Sequence, residues 1–251
     1  MVDDPLREEI ERECVVERDG WAGERAARVT ERLQRGVPAG ERLETLVVWL
    51  EVATAFTGPG RTIYFSRRLL ERLADDDAAA FIVAHELAHH RLGHVPPMSR
   101  AWLRLPLDIL LAVLRHRIAG PERERDADLL AVELCLDAGY DPARCIAALE
   151  QLDRITLDHG DIDGSLGEDP DAGSIASGWG WLARRSHPPT RERIAAARAH
   201  VDAVRAGHRL AAELAERDRE RRARRRRALA ATAGSAAIAV AVMILRRRLP
   251  G

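Results

Sequence analysis

The feature that most restricts the fold of this 251-residue chain is a pair of histidines. His85 and His89 lie four positions apart in the stretch HELAH. Residues four apart lie on one face of an α-helix, so a helix here would let both imidazoles reach one zinc ion. Glu86 would then project beside the metal, where a carboxylate can take a proton from water. The competing interpretation is an ordinary amphipathic helix with solvated histidines.

The flanking sequence predicts where this helix begins and ends and what surrounds it. Three consecutive aspartates at 75–77 favour a helix start, and Gly93 favours its end, so we expect a helix over about 78–92. The apolar run 43–56 is compatible with a strand, a helix or one of each. We also expect a short strand at 61–65, a helix at 67–74 capped by Ser66, helices at 122–136, 142–154 and 190–219, and a loop at 158–180.

A catalytic zinc ion needs a third protein ligand and an open fourth position. The helix expected from residue 122 offers four acidic side chains. Glu124 and Asp128 share one face, and Glu122 and Asp126 share another, so their spacing does not choose between the pairs. An acidic helix start that pairs with neighbouring arginines is the alternative without a metal.

Three stretches in chain order carry a family resemblance. The first comprises residues 56–67 (FTGPGRTIYFSR) followed by HELAHH from His85. The second is ERDAD at 124–128, and the third is SHPPT at 186–190 with Arg193 and Ile194 beyond it. Over about residues 45–200 the chain resembles the HtpX and CAAX-prenyl-endopeptidase family of zinc metalloproteases.

That resemblance implies roles for particular residues. It implies that Glu124 is the third zinc ligand and that Asp128 supports a ligand histidine. It also implies that His187 faces the metal and either stabilises the oxyanion or covers the zinc in a resting state. Taken alone, His187 reads as a turn histidine before two prolines.

The resemblance further implies an edge strand for substrate binding by β-augmentation, formed by Arg61, Thr62, Ile63, Tyr64 and Phe65. The alternative is an ordinary hairpin strand, and the two interpretations do not exclude each other. The chain departs from the family in two ways: Thr54 stands where the family commonly has Asn, and no apolar segment long enough to span a membrane precedes the HELAH stretch.

The C-terminal part has a different composition from the rest. Residues 228–245 carry no charge, six arginines lie within 221–227, and three more follow at 246–248. This pattern predicts a membrane anchor at 228–245 with the catalytic domain in the cytoplasm, and an arginine run that binds anionic lipid. An Ala-rich soluble helix end and nucleic-acid binding by the arginines are the alternatives, and we expect no nucleic-acid partner.

Together these patterns predict an α+β, predominantly helical, zincin-like domain at 1–220 and a basic, apolar segment at 221–251. The expected function is that of a zinc-dependent endopeptidase with one zinc ion per chain and a protein or peptide substrate. The family resemblance implies a role in membrane-associated quality control or processing. The alternative is a catalytically latent, zinc-bearing membrane adaptor. The chain contains 39 arginines and no lysine, which indicates a GC-rich, bacterial genome.

Overall fold

The computed structural model of the chain describes residues 4–50, 52–58, 60–95, 120–160 and 191–210. The chain divides into two compact units, residues 1–208 and residues 209–251. Only Arg209 and Leu210 of the second unit are described, and both the boundary expected at residue 220 and the apolar segment 228–245 lie outside the described residues. No helix within the described ranges is long and apolar enough to cross a membrane.

Seven α-helices lie within these ranges: α1 Pro5–Glu13, α2 Trp21–Leu33, α3 Arg67–Arg72, α4 Asp76–Arg91, α5 Pro121–Asp137, α6 Pro142–Gly160 and α7 Arg191–Arg205. Local signals explain several of their ends. Asp4, Ser66 and Asp75 each cap a helix by accepting a hydrogen bond from the backbone N–H three residues on. Glycines with positive φ follow the ends of α4, α5 and α7.

The helices expected at 67–74, 78–92 and 122–136 are confirmed to within two residues at each end. Two other expected boundaries are wrong. Helix α6 continues to Gly160, so it includes the first residues of the loop expected at 158–180. Helix α7 ends at Arg205 rather than at residue 219, because Gly207 adopts φ +91° and closes the helix.

Four strands form one mixed sheet: β1 Val16–Glu17, β2 Glu44–Val48, β3 Ala55–Thr57 and β4 Thr62–Ser66. Their spatial order is β1-β2-β4-β3. Strands β2 and β4 are parallel, whereas β1 and β3 each run antiparallel to their neighbour. The apolar run 43–56, which sequence left undecided, therefore supplies two strands.

The expectation that residues 61–65 form an edge strand is wrong. Tyr64 in β4 lies opposite Leu46 of β2 on one side and opposite Phe56 of β3 on the other. Both sides of the β4 backbone are thus paired within the sheet, which leaves no side for an added substrate strand. Strand propensity identified a strand here, but it carries no information about which neighbours that strand acquires.

Alternate residues of the sheet face two apolar layers. Leu46, Val48, Phe56 and Tyr64 pack in one cluster with Leu6 and Ile10 of α1. On the opposite face, Val47, Ile63 and Phe65 join the main core with helices α2, α4, α5 and α6. Burial on both faces explains why every residue of β4 is buried. The expected α+β class, mostly helical with a small sheet, is confirmed for the described residues.

Candidate metal centre

Helix α4 occupies the centre of the main core. Its twelve residues from Ala78 to His89 are all buried, because α2, α5, α6 and strand β3 surround it. The Asp75 carboxylate caps the helix by accepting from the Ala78 N–H at 2.9 Å. His85 and His89 lie one turn apart on one face of this helix, because their spacing of four residues is close to its period.

The two histidines turn the same ring nitrogen toward one point. His85 Nε2 and His89 Nε2 lie 3.1 Å apart. Two nitrogens at this separation, with a carboxylate beside them, are typical of a site that holds a cation.

Helix α5 supplies that carboxylate. Glu124 Oε2 lies 3.4 Å from His85 Nε2, and Glu124 Oε1 lies 3.4 Å from His89 Nε2. Both Glu124 and Asp128 are buried, whereas Glu122 is exposed and Asp126 is half-buried. The packing of α5 against α4 thus selects between the two acidic pairs that sequence spacing left open.

A second layer of contacts holds the His85 ring. Asp128 Oδ1 lies 3.0 Å from His85 Nδ1, on the side of the ring opposite Glu124. Burial lowers the pKa of His85, but the contacts with Asp128 and then Glu124 outweigh burial and raise this pKa to about 10. The carboxylates therefore create a buried position that strongly favours a positive charge.

Arg193 on helix α7 contacts the carboxylates of both Asp128 and Glu124. Its Nε and Nη2 lie 2.6 and 2.8 Å from the two oxygens of Asp128, a bidentate pair, and Nη2 lies 3.5 Å from Glu124 Oε2. Burial raises the pKa of Asp128, but the hydrogen bonds from Arg193 and His85 outweigh it and lower this pKa below its usual range. Sequence analysis placed Arg193 in a family motif without giving it a role, since the pairing spans 65 positions.

A metal ion fits this set of residues. His85, His89 and Glu124 each offer one ligand atom, and these atoms lie within 4.8 Å of one another. Glu86, Glu124 and Asp128 are all buried, so the interior holds three carboxylates on α4 and α5. A divalent cation between the ligand atoms would add positive charge beside them, which lowers the cost of burying negative charge.

The structure places the remaining predicted site residues as follows. Glu86 is buried on α4, adjacent to His85, and its charge acts on the pKa values of His89 and His90. His187 lies outside the described residues, so its role stays a prediction.

His94, to which sequence analysis gave no role, contacts His89: their Nδ1 atoms lie 2.9 Å apart. Burial lowers the pKa of His94 to about 3, which favours a neutral ring.

A buried HExxH helix with a glutamate ligand candidate from a second helix, set against a small sheet, is typical of metal-dependent peptidases. Residues 22–119 match the sequence model of peptidase family M48, and this match supports a metallopeptidase function for the chain. It includes the HELAH stretch but ends before Glu124, whose placement rests on the geometry above. None of the curated protein sequences is similar enough to the chain to count as a match.

Proposed function

We propose that this chain is a zinc-dependent endopeptidase that cleaves protein or peptide substrates at the centre formed by His85, His89 and Glu124. The observation that carries the proposal is the spacing of the donor atoms. Zn–N bonds of 2.0–2.1 Å at tetrahedral angles separate neighbouring ligand atoms by about 3.3 Å. Here His85 Nε2 and His89 Nε2 lie 3.1 Å apart, and each lies 3.4 Å from one oxygen of the Glu124 carboxylate, Oε2 and Oε1 respectively.

When bound, zinc supplies the Lewis acidity that polarises a peptide carbonyl and acidifies a water molecule. Glu86 is the residue that moves the proton. Its carboxylate takes a proton from water as the water oxygen attacks the carbonyl carbon, and it returns the proton to the amide nitrogen as the C–N bond breaks.

Asp128 and Arg193 support this chemistry without touching the substrate. Asp128 holds the hydrogen on Nδ1 of His85, which leaves the Nε2 lone pair directed at the position between the ligands. The bidentate contact with Arg193 fixes both oxygens of Asp128 and prevents that carboxylate from turning toward the metal position.

The test is Glu86→Gln in the full chain, compared with the wild type and with Glu133→Gln. Glu133 is also a buried glutamate, but it lies on α5 with its carboxylate 3.0 Å from His200 Nε2. We expect chelator-sensitive cleavage of an unfolded protein by the wild type and by Glu133→Gln, and none by Glu86→Gln. All three should contain zinc.

Two results would count against the proposal. Wild-type rates in Glu86→Gln would exclude Glu86 as the general base. Zinc in every variant with cleavage in none would favour a latent, zinc-bearing adaptor instead.

We further propose that residues 228–245 attach the enzyme to a membrane with the catalytic domain in the cytoplasm. The support comes from sequence alone: an uncharged stretch preceded by six arginines and followed by three. Val242→Arg should abolish flotation of the full chain with uncharged phosphatidylcholine vesicles, to which the arginine run has no electrostatic attraction, because an arginine inside the bilayer costs about 2.5–3.5 kcal/mol. Ala223→Arg adds the same charge within the arginine run and should float like the wild type. Equal flotation of both variants would contradict the anchor.

A further inference from the structure

Helix α4 ends in a way that brings residue 94 back to residue 89. Gly93 adopts φ +67°, its N–H donates to the His90 carbonyl at 3.0 Å, and the His94 N–H donates to the His89 carbonyl at 2.9 Å. These two hydrogen bonds around a left-handed glycine form a Schellman motif. In this motif the residue after the glycine commonly packs on the last turn of the helix, and here that residue is a histidine.

The His94 side chain reaches the same residue as its backbone does. The two Nδ1 atoms of His89 and His94 lie 2.9 Å apart, and the ring centroids lie 5.1 Å apart at 61°. His89 Nε2, at the other side of its ring, lies next to His85 and Glu124. Nε2 of His89 therefore faces the proposed metal position, and Nδ1 faces His94.

We propose that His94 is a positioning residue for the metal ligand His89, whose Nδ1–H donates a hydrogen bond to His94 Nδ1. This inference rests on the metal centre proposed above. An imidazole that binds metal through one nitrogen carries hydrogen on the other, and that hydrogen needs an acceptor. His89 is completely buried, so bulk solvent does not supply one.

The two ligand histidines are thus oriented in different ways. Asp128 on α5 orients His85, whereas His94, which follows the end of α4, orients His89. A neutral imidazole accepts the hydrogen bond without adding a further negative charge to a centre that already buries three carboxylates. The tautomer of His89 is set by the way helix α4 ends.

The first test compares His94→Leu with His94→Asn in the full chain. The Asn Oδ1 occupies the position of His Nδ1, one bond beyond Cγ, whereas Leu has the same branching and no acceptor. We expect the zinc Kd, measured by chelator competition, to rise about 10- to 100-fold in His94→Leu. In His94→Asn it should stay within about threefold of the wild type, because the acceptor is retained.

The second test keeps every side chain of the centre. Gly93 ends α4 and Gly207 ends α7 with the same pair of backbone hydrogen bonds, and both glycines have positive φ. An added Cβ would have no atom within 4 Å at either position. Gly93→Ala and Gly207→Ala therefore impose a similar backbone strain without a clash. Only Gly93→Ala should weaken zinc binding, because only that glycine places His94.

The outcomes separate this inference from the proposed function. A wild-type Kd in His94→Leu, or equal weakening by His94→Leu and His94→Asn, would overturn the positioning role and leave the metal centre standing. Absence of zinc binding in the wild type would overturn the centre itself, and the positioning role with it. A purely structural role for His94 predicts altered unfolding in both variants with no change in the zinc Kd of the folded protein.

Discussion

Arg193 shows how much one buried charge matters in this protein. Its guanidinium is nine-tenths buried and binds both oxygens of Asp128, which is itself almost completely buried. Removing one partner of such a pair leaves an uncompensated charge in the interior, and that penalty exceeds the energy of the contact. The ion pair between Arg198 of α7 and Glu150 of α6 is exposed to solvent and carries no such penalty.

Arg193→Met should therefore lower the free energy of unfolding by about 3–5 kcal/mol in the metal-free protein. Arg198→Met, on the same helix, should lower it by about 1 kcal/mol or less. Urea denaturation of the full chain measures both. Similar losses in the two variants would show that the buried pair with Asp128 has no special weight.

At the scale of single residues, sequence spacing predicted that His85 and His89 share a helix face, because helical geometry fixes that relation locally. The same reasoning did not choose Glu124 over Glu122. Both lie in the first turn of α5, and only the packing of that helix against α4 determines which carboxylate is buried.

At the scale of an element, the first turn of α4 links the helix that carries His85 and His89 to α2. Arg25 Nε lies 2.9 Å from Asp76 Oδ1, and Arg28 Nη2 lies 3.1 Å from Asp76 Oδ2. Burial raises the pKa of Asp76, but the two arginines outweigh it and lower this pKa below its usual value. The lowered pKa means that the ionised carboxylate stabilises the folded state.

This contribution should be present above the unfolded pKa of about 3.9 and lost as the pH falls through the lower, folded pKa. Asp76→Asn should lower the free energy of unfolding by about 1 kcal/mol or less at pH 7, since the pair is partly exposed. The difference from the wild type should shrink as the pH falls below about 4. Urea denaturation at several pH values measures it.

Asp77→Asn is the control for that experiment. Asp77 Oδ1 accepts the Asp141 N–H at 2.6 Å, and an Asn side chain keeps an oxygen there. A difference for Asp76→Asn that stays constant down to pH 3 would contradict the role of the two arginines.

Helix starts marked by a capping side chain were the most predictable feature at this scale. The starts of α3 and α4 follow from Ser66 and Asp75, whose side chains accept from the N–H groups of Leu69 and Ala78. Strand neighbours were not predictable, because a parallel pairing such as that of β2 with β4 joins segments that are distant in the chain.

At the scale of the whole molecule, zinc would join helices that are far apart in sequence. The ligands come from α4 and α5, and α7 reaches the same carboxylates through Arg193. A metal that binds only the folded state stabilises it according to its concentration. At free zinc 100-fold above Kd, the free energy of unfolding should rise by about 2.7 kcal/mol.

Glu124→Gln should lose most of this gain, because the carboxamide is a poor zinc ligand, whereas Glu133→Gln on the same helix should keep it. Thermal or urea unfolding with and without zinc measures the effect in all three proteins. The same gain in Glu124→Gln would exclude Glu124 from the ligand set.

The sequence alone determined the features that depend on neighbours within about one helical turn. These are the HELAH helix with its paired imidazoles, the helix starts at Ser66 and Asp75, and the strand at 62–66, which was expected at 61–65. Helical geometry, side-chain capping and strand propensity act over a few residues, so they can be deduced from a short stretch.

Only the tertiary structure decided the relations between distant segments. It buried Glu124 and Asp128 instead of Glu122 and Asp126, paired β4 on both sides, and brought Arg193 to Asp128. Such contacts form where the packing of whole helices and strands buries one face and exposes another, and no local pattern specifies that choice.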